Sequence, residues 1–491
     1  MLTYRKIKDI PPECSPAYFW HINGKVKIEE LKQQLRDMHA LGLRSVCLHA
    51  FPDEFRPATQ PSHVNIPYLS PEWFEMVCAL CDECRRLGMR YWLYDEGGWP
   101  SGGAGGQVWK NAKDKKSIQR QYLELENGRP VIRTVEEDPR ACAPYPDILN
   151  KQVTADFIAL THERYRKYAE KYFGREIRFA FTDEPGMFVT SPGKLTYTAG
   201  LEKEFKKIKG YDLEPYLPAL LNPEKDDESR DVTLARIDYH EVLSKLFIRR
   251  FLHPLRTWCR KNRILSGGHF SGENNPWANR YGSYGNILQS LRALDIPGVD
   301  AICRQLFPGG KVHPFPKYAS SAANQNGNRY AFAEVFALYG NGMAPAEMRW
   351  LVDFMFVRGI NLIVPSKIAV YNGESFMSGI RPHSGMVDPL WKYMKGFHTY
   401  ISRGSHLLSL GKPYCRTAVY FDIRSIRAGG KYMEAAVSMH ESVAQKMLEH
   451  QCAFDFIDDE MLVKARREEK SLKVGKMRYD TIVVPSSFFM T

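Results

Sequence analysis

Short apolar runs alternate with longer amphipathic segments along about the first 370 residues. The short runs, such as FAFT at 179–182, do not alternate cleanly between apolar and polar residues, which is typical of strands buried on both faces. The segments between them repeat apolar residues at helical spacing, and KIEELKQQLRDMHALG ends at the helix-stopping Gly42. Strands joined by helices predict a parallel sheet with crossover connections.

The apolar runs number eight. We place the strands within 17–24, 45–51, 90–100, 177–186, 264–274, 298–304, 329–340 and 360–371. Eight strands with intervening helices predict an α/β fold of the (β/α)8 TIM-barrel type over residues 1–404. The largest connection is an inserted segment around 101–150, in which the Asn127-Gly128 turn of YLELENGRPVIRT predicts a short hairpin.

The pattern changes after residue 404. Strand-like runs at 414–423, 453–462 and 479–487, with a helix around 431–450, predict the start of a smaller flavodoxin-like or glutamine-amidotransferase-like α/β domain over 405–491. The chain stops directly after a buried-type strand, which leaves a sheet edge and one face uncovered. We therefore expect this domain to be truncated.

Composition and charge exclude several classes of partner. The chain has 68 Lys and Arg against 56 Asp and Glu, but the basic residues are scattered and interspersed with acids, which argues against a nucleic-acid partner. There is no run of about 18 apolar residues, so no membrane span is expected. The N-terminus lacks the apolar region of a signal peptide, which predicts a cytoplasmic protein. The spacing of Cys78, Cys81 and Cys84 falls in a helical pattern, so we interpret them as helix-face thiols.

In a barrel of this type the active site lies at the C-terminal ends of the strands. Carboxylates, imidazoles and aromatic side chains collect there: His21, His49, Asp95, Glu96, Trp99, Asp183, Glu184, His269, Glu273, Asp300, Arg304, Glu334 and Tyr371. Any one of them has a structural explanation, such as capping or ion pairing. A buried carboxylate nevertheless costs several kcal/mol unless it is paired or solvated, so their convergence favours a polar site.

Carboxylates with aromatic neighbours suit a sugar, and glycosidic cleavage needs two carboxyl groups. Glu184 and Glu334, on the fourth and seventh strands, can supply that pair. The substrate-binding residues expected around them are His21, His49, Asp95, Glu96, Trp99, Asp183, His269, Arg304 and Tyr371.

Several strings carry a resemblance to a known family. GWPSGG after the third strand, FTDEPG, GHFSGENN, DIPGVDAI and FAEVFALYG together resemble glycoside hydrolase family 106, the α-L-rhamnosidases, over nearly the whole chain. The resemblance implies a (β/α)8 catalytic domain, hydrolysis with inversion, a calcium ion beside the sugar, and further β-rich domains after the barrel. It implies an exo-glycosidase that removes a terminal deoxysugar from plant or bacterial glycans.

The residue correspondence leaves one ambiguity. Glu184 matches the acid of the fourth strand, whereas the second carboxylate is either Glu273 or Glu334, and the position of Glu334 across the ring favours it. Two other hypotheses stay open. One is a metal-dependent lyase or isomerase with Asp183, His269, Glu273 and Glu334 as ligands, and the other is an inactive sugar-binding relative.

Overall fold

The computed structural model describes residues 8–490 apart from 54, 56–61, 137–142, 188–191, 223, 225–227, 283, 371–381 and 386–387. The strands are β1 (Ala17–Ile22), β2 (Ser45–Ala50), β3 (Arg90–Gly97), β4 (Gln121–Glu126), β5 (Arg129–Thr134), β6 (Ile177–Asp183), β7 (Leu195–Tyr197), β8 (Leu265–His269), β9 (Ile296–Ala301), β10 (Phe332–Val335), β11 (Leu362–Pro365), β12 (Ile368–Ala369), β13 (Thr417–Tyr420), β14 (Asp455–Ile457), β15 (Arg466–Glu468), β16 (Ser471–Val474), β17 (Met477–Tyr479) and β18 (Thr481–Val483).

The α-helices of the described residues are α1 (Ile28–Ala40), α2 (Pro71–Leu87), α3 (Gln107–Asn111), α4 (Lys151–Leu160), α5 (His162–Ala169), α6 (Leu201–Lys209), α7 (Leu217–Leu220), α8 (Arg230–Phe247), α9 (His253–Lys261), α10 (Ala278–Tyr281), α11 (Ile287–Arg292), α12 (Pro316–Asn326), α13 (Pro345–Phe356), α14 (Lys395–Leu410), α15 (Ile423–Ala428), α16 (Gly430–Glu449) and α17 (Asp459–Val463). Ser70 caps α2 and Gly88 ends it in the left-handed conformation, as the sequence predicts. Within α2, Cys81 and Cys84 are buried against the core and Cys78 is half-buried.

Nine parallel strand segments form one curled sheet in the order β11-β10-β9-β8-β6-β3-β2-β1-β12. Its two ends approach each other, because β12 pairs with β1 and follows β11 after two residues. All eight predicted strands lie in this sheet, with β11 and β12 sharing the eighth. The fold is therefore an α/β fold with a TIM-like curled parallel sheet.

Aromatic side chains fill the interior of the curled sheet. Phe19, Tyr94 and Phe181 are all at most 2% exposed, and the ring of Phe181 lies 5.1 Å from that of Phe19 and 5.5 Å from that of Tyr94. Because these rings pack directly against one another, we expect a binding site at an end of the sheet instead of in its middle.

The inserted segment contains the predicted hairpin. Strands β4 and β5 pair in antiparallel fashion around Asn127 and Gly128, both at positive φ, and β7 adds a third strand. The sequence pattern from about Thr154 to Tyr172 predicts a single helix, but the structure divides this helical segment into α4 and α5. It begins at Lys151 and breaks at Thr161, whose hydroxyl donates to the carbonyl of Phe157 at 2.7 Å.

The segment after residue 404 contains a three-stranded parallel sheet, β14-β13-β18, and a three-stranded antiparallel sheet, β15-β16-β17. The parallel sheet packs on α12, where Gln325 Nε2 donates to the carbonyl of Phe456 at 2.6 Å. The predicted strand over 479–487 is shorter than expected, since β17 ends at Tyr479 and β18 covers Thr481–Val483. The domain boundary at 404 and the truncation stay predictions. Across the described residues, no helix combines the length and apolarity needed to cross a membrane.

Candidate active site

A pocket of about 530 Å³, part of it open to solvent, lies at the C-terminal ends of the strands of the curled sheet. Its described lining residues are Phe19, His21, His49, Trp99, Asp183, Glu184, Asp300, Ile302, Glu334, Ala337, Leu338 and Ser366. Six of these residues are in the predicted site: His21, His49, Trp99, Asp183, Glu184 and Glu334.

Strand register explains why these side chains meet. His21 is the partner of His49 across β1 and β2, Asp183 is the partner of His269 across β6 and β8, and Asp300 is the partner of Glu334 across β9 and β10. Register partners on neighbouring parallel strands point to the same face of the sheet. Three pairs of polar side chains are thus brought to one mouth by pairing alone.

The loops around the pocket contain unusual backbone conformations. Glu184 has φ of 42° directly after β6, and after β10 Phe336 has φ of 81° and Leu338 has φ of 61°. Positive φ is costly for residues other than glycine and persists where the surrounding structure imposes it, often at functional sites. These turns bring Glu184 and Leu338 to the pocket wall.

A buried histidine links the carboxylates at the base of the pocket. His269 Nε2 lies 2.9 Å from Glu334 Oε2 and 3.4 Å from Asp183 Oδ1. Tyr94 donates its hydroxyl proton to the other oxygen of Asp183. His269 is 1% exposed and is not a lining residue, so it acts on the substrate only through its carboxylate partners.

The titratable groups of this cluster shift one another's pKa values. Burial alone would lower the pKa of His269, but the carboxylates of Asp300, Asp183 and Glu334 raise it well above its usual value. Burial and the neighbouring Glu334 raise the pKa of Asp300 well above the usual range. The pKa of Asp183 is also raised well above that range, first by burial and then by Glu334 and Glu184. The cluster therefore holds its protons more tightly than the same groups would in water.

The raised pKa of His269 makes its Nε2–H a charged donor to the carboxyl group of Glu334. An ionised carboxylate that faces a pocket is suited to accept a proton from water. Glu184 is the second candidate carboxyl group of the pocket and differs from Glu334 in its surroundings. It is half-buried on the wall, directly after β6, whereas Glu334 is buried against the imidazole.

This arrangement predicts how stability depends on pH. The pKa of His269 is higher in the folded protein than its unfolded value of about 6.5, so protonation of His269 stabilises the fold. This stabilisation is fully present below pH 6.5 and is lost as the pH rises through the folded-state pKa. The raised pKa values of Asp183 and Asp300 act with the same sign. We expect the difference in Tm between the wild type and His269→Gln to be largest near pH 6 and to shrink towards pH 10. A difference independent of pH would show that His269 is not protonated in the folded protein.

One wall of the pocket is formed by neutral rings. Burial lowers the pKa of His49 to about 3 and that of His21 well below its usual value, so both imidazoles are uncharged at neutral pH. The ring of His49 lies 3.8 Å from that of Tyr94 and 6.1 Å from that of Trp99. Flat neutral rings of this kind suit the C–H face of a sugar.

Asp95 and Glu96 do not reach the pocket. Asp95 accepts hydrogen bonds from Ser101 Oγ at 2.7 Å and Thr182 Oγ1 at 2.6 Å. The carboxylate of Glu96 accepts hydrogen bonds from the backbone N–H groups of Gly97 and of residues 102–105. Burial raises the pKa of Asp95 to about 7 and that of Glu96 above its usual range. The structure places both acids as supports of the loop that carries Trp99.

Glu273 also lies outside the pocket lining. It is 1% exposed and its Oε1 accepts a hydrogen bond from the backbone N–H of Phe270 at 2.6 Å. Burial raises its pKa to about 8, so it is largely protonated at neutral pH. This position fits a structural acid behind the end of strand β8 better than a group that contacts substrate.

One further predicted residue is not brought to the site, and another cannot be placed. Arg304 follows β9 with φ of 54°, is 60% exposed at its side chain, and points to Glu347, with an N–O distance of 3.4 Å. Tyr371 lies outside the described residues. The prediction in turn omits Asp300, Ile302 and Leu338 from its binding residues, although the alternation of β9 places Asp300 on the same face as Glu334.

One group of described residues has the geometry of a metal site. The ligand atoms of Asp183, His269 and Glu334 all lie within 4.8 Å of one another. Two carboxylates with an imidazole are typical of a divalent transition metal, whereas calcium takes six to eight oxygen ligands. This group of three ligands is therefore unlike a calcium site, and its contacts are also explained by hydrogen bonds between the His269 imidazole and the two carboxyl groups.

Comparisons with known proteins show which family the chain resembles. A model of glycoside hydrolase family 106, described as α-L-rhamnosidase, matches residues 139–491. A curated Formosa agariphila protein named "Putative beta-glucuronidase" is 26% identical over 245 residues, which cover 46% of this chain and 19% of that protein. The match thus spans about a fifth of the length of this curated relative.

Solved structures show the same fold. A rhamnosidase from Novosphingobium sp. PP1Y superposes with a TM-score of 0.70 at 14% identity, over 99% of this chain and 67% of that one. A β-galactosidase from Bacillus circulans sp. alkalophilus superposes with a TM-score of 0.57 at 13% identity, over 92% of this chain and 66% of that one. At these identities the likeness concerns the fold, and the family follows from the sequence match: this chain belongs to glycoside hydrolase family 106, the α-L-rhamnosidase family.

Proposed function

We propose that the protein is an α-L-rhamnosidase-like exo-glycosidase that releases a terminal neutral deoxysugar from plant or bacterial glycans. The observation that carries the proposal is the presence of Glu184 and Glu334 in one pocket, with Glu334 buried against His269 and Glu184 half-buried on the wall. These different surroundings suit the two carboxyl groups to different protonation tasks, as glycosidic cleavage requires.

In the proposed mechanism Glu184 is the general acid. It donates its proton to the glycosidic oxygen while the bond from that oxygen to the anomeric carbon breaks. Glu334 is the general base, and it takes a proton from the water molecule that attacks the opposite face of the sugar. His269, which also contacts Asp183, orients the carboxyl group of Glu334 through the contact to its Oε2. The product has inverted anomeric configuration, in agreement with what the family resemblance implies.

The charge of the pocket favours a neutral sugar. Four carboxyl groups line it, those of Asp183, Glu184, Asp300 and Glu334, and no lysine or arginine is among the described lining residues. A sugar acid would therefore lose hydration on entry without a lysine or arginine on the described wall to pair with its carboxylate. This argues for a rhamnoside and against a glucuronide as the substrate.

An apolar corner of the pocket favours a deoxysugar. Ile302, Ala337 and Leu338 line one side, and the side chain of Leu338 is exposed towards solvent although it is apolar. The methyl group of a 6-deoxyhexose buries apolar surface in such a corner, whereas a 6-hydroxyl group would lose hydrogen bonds with water.

The test is a comparison of three aryl glycosides on the purified chain. We expect hydrolysis of the aryl α-L-rhamnoside, slower hydrolysis of the α-L-mannoside, which differs by a single 6-hydroxyl group, and none of the β-D-glucuronide. A hydrophobic pocket rejects an analogue with an added hydroxyl group by about 10²-fold. Cleavage of the glucuronide in preference to the rhamnoside would contradict the proposal.

A second candidate function rests on the trio of Asp183, His269 and Glu334. Their spacing of at most 4.8 Å is compatible with a divalent transition metal, as in a metal-dependent lyase or isomerase. A titration with Mn²⁺ and Zn²⁺ separates the two candidates. Activation by these ions on a substrate without a glycosidic bond would favour the second, and full glycosidase activity without them favours the first.

The family resemblance implies a calcium ion beside the sugar, and we propose this ion without assigning a catalytic step to it. If the ion takes part, removal with a chelator followed by dialysis lowers rhamnoside hydrolysis, and Ca²⁺ alone restores it. Unchanged activity after chelation would show that the protein works without the ion.

A further inference from the structure

A second cavity lies away from the catalytic pocket, with which it shares no described lining residue. It encloses about 1850 Å³, much of it open to solvent, between the segment after residue 404 and the helices α8, α9 and α11. One wall is formed by α15 and α17, which directly follow β13 and β14 of the second parallel sheet. The cavity therefore faces the C-terminal ends of those strands, the edge at which open parallel sheets bind ligands.

Positive charge prevails around this cavity. Six lysine and arginine residues line it against three acids, Glu241, Asp459 and Glu460. The cations are Lys245, Arg249, Arg292, Arg424, Arg427 and Lys464. An excess of three positive charges in a concave site favours an anionic ligand.

Most of these cations already have partners. Arg249 pairs with Glu204 at 2.6 Å, Arg292 pairs with Asp458 at 2.7 Å, and Lys464 pairs with Glu460. Their charges are therefore largely compensated within the protein.

Arg427 differs from the others. It is 2% exposed, and its Nε and one terminal nitrogen of its guanidinium are buried without a hydrogen-bond acceptor among the described residues. Burial lowers its pKa to about 10, which leaves it charged at neutral pH. Buried guanidinium nitrogens without acceptors are destabilising until a ligand or solvent satisfies them.

The acids near Arg427 are engaged with other donors. Asp458 accepts from Arg292 and Asn286, and Glu241 accepts from Lys209 and Lys245. Asp459 accepts from the hydroxyl of Tyr420 at 2.9 Å. These acids reduce the net charge around Arg427, but they do not accept hydrogen bonds from its guanidinium. The paired N–H groups of a guanidinium match the two oxygens of a carboxylate or phosphate.

We propose that this cavity binds a small oxyanion, a carboxylate or a phosphate group carried by a metabolite or sugar, with Arg427 as its bidentate anchor. The site is independent of the glycosidase function. Its ligand is chemically opposite to the neutral sugar expected in the catalytic pocket, so the two sites take different molecules.

The experiment is calorimetric titration of the full chain with inorganic phosphate, D-glucuronate and, as a neutral control, D-glucose, at constant ionic strength. We expect saturable binding of phosphate or glucuronate and no binding of glucose. The anion that binds more tightly shows whether the site prefers a phosphate or a carboxylate group. Arg427→Met should weaken anion binding by at least about tenfold, the effect of losing a charged hydrogen bond. Arg249→Met removes one positive charge from the same cavity and should weaken it by only a few-fold.

Arg427→Lys keeps the charge and provides a test if the methionine variant does not fold. It should bind the anion several-fold more weakly than the wild type, since lysine lacks the fork of donors. Equal losses in Arg249→Met and Arg427→Met would show unspecific attraction to positive charge and overturn the proposal. Absence of saturable anion binding by the wild type would overturn it as well.

Discussion

Replacing Glu184 by glutamine is expected to lower hydrolysis of a rhamnoside by about 10²–10⁴, the usual effect of removing a general acid. Glutamine has the same shape but cannot donate a proton that is transferred to the glycosidic oxygen. The loss should be smaller for an aryl glycoside with a highly acidic phenol, because that leaving group needs little protonation. Rates for a good and a poor leaving group, measured side by side, check this expectation.

The control for Glu184→Gln is binding of free L-rhamnose by calorimetry, which should stay within a few-fold of the wild type. Activity within a few-fold of wild type on both substrates would remove Glu184 from the mechanism. An equal loss on both substrates would assign it to a step other than protonation of the leaving group.

Replacing Glu334 by glutamine is expected to cost about 10²–10⁴ regardless of the leaving group, since every substrate needs an activated water molecule. Glu273→Gln serves as the matched comparison, because Glu273 is the other candidate for the second carboxylate. It lies outside the pocket lining and accepts a backbone hydrogen bond from Phe270. We expect Glu273→Gln to change the rate by less than about tenfold while lowering Tm.

The reverse result would assign the base to Glu273. In that case Glu273→Gln would show the large loss with unchanged Tm, and Glu334→Gln would retain most of its activity. Thermal unfolding of both variants, measured in the same buffer as the kinetics, separates loss of chemistry from loss of structure.

The eight strands and the mouth at which the site lies can be predicted from the sequence because the signal is periodic. Each buried strand is a short apolar run, and in a parallel barrel every strand ends at the same side. His21, His49 and Glu334 therefore come to one mouth by topology alone. The positions of these three residues can be predicted without knowing the conformation of any loop.

Residues beyond the strand ends are harder to predict, because loop conformation decides where they point. YDEGG after the third strand and TDEPG after the fourth look alike, yet Glu96 turns into backbone N–H groups of its own loop while Glu184 faces the pocket. The difference lies in the backbone, with φ of 42° at Glu184. Arg304 is turned away in the same manner, by positive φ at Cys303 and at Arg304 itself.

The sequence predicts that His269 and Glu334 lie at one mouth, but it does not predict their direct contact, since 65 residues separate them. Their spacing follows from strand register and from the burial of both side chains, which only the folded sheet defines. The different surroundings of the two proposed catalytic carboxyl groups therefore belong to the tertiary structure.

The central claim, that Glu184 and Glu334 act from opposite sides on one sugar, is tested most directly by a crystal structure of Glu184→Gln with an uncleaved aryl α-L-rhamnoside. The account predicts the sugar ring in the pocket beside His49 and Trp99, with the introduced amide side chain at the glycosidic oxygen and the Glu334 carboxylate on the opposite face. The two side-chain termini should be roughly 6.5–9.5 Å apart, with room for one water molecule between Glu334 and the anomeric carbon. A sugar bound elsewhere, or bound with Glu334 on the same face as the leaving group, would contradict it.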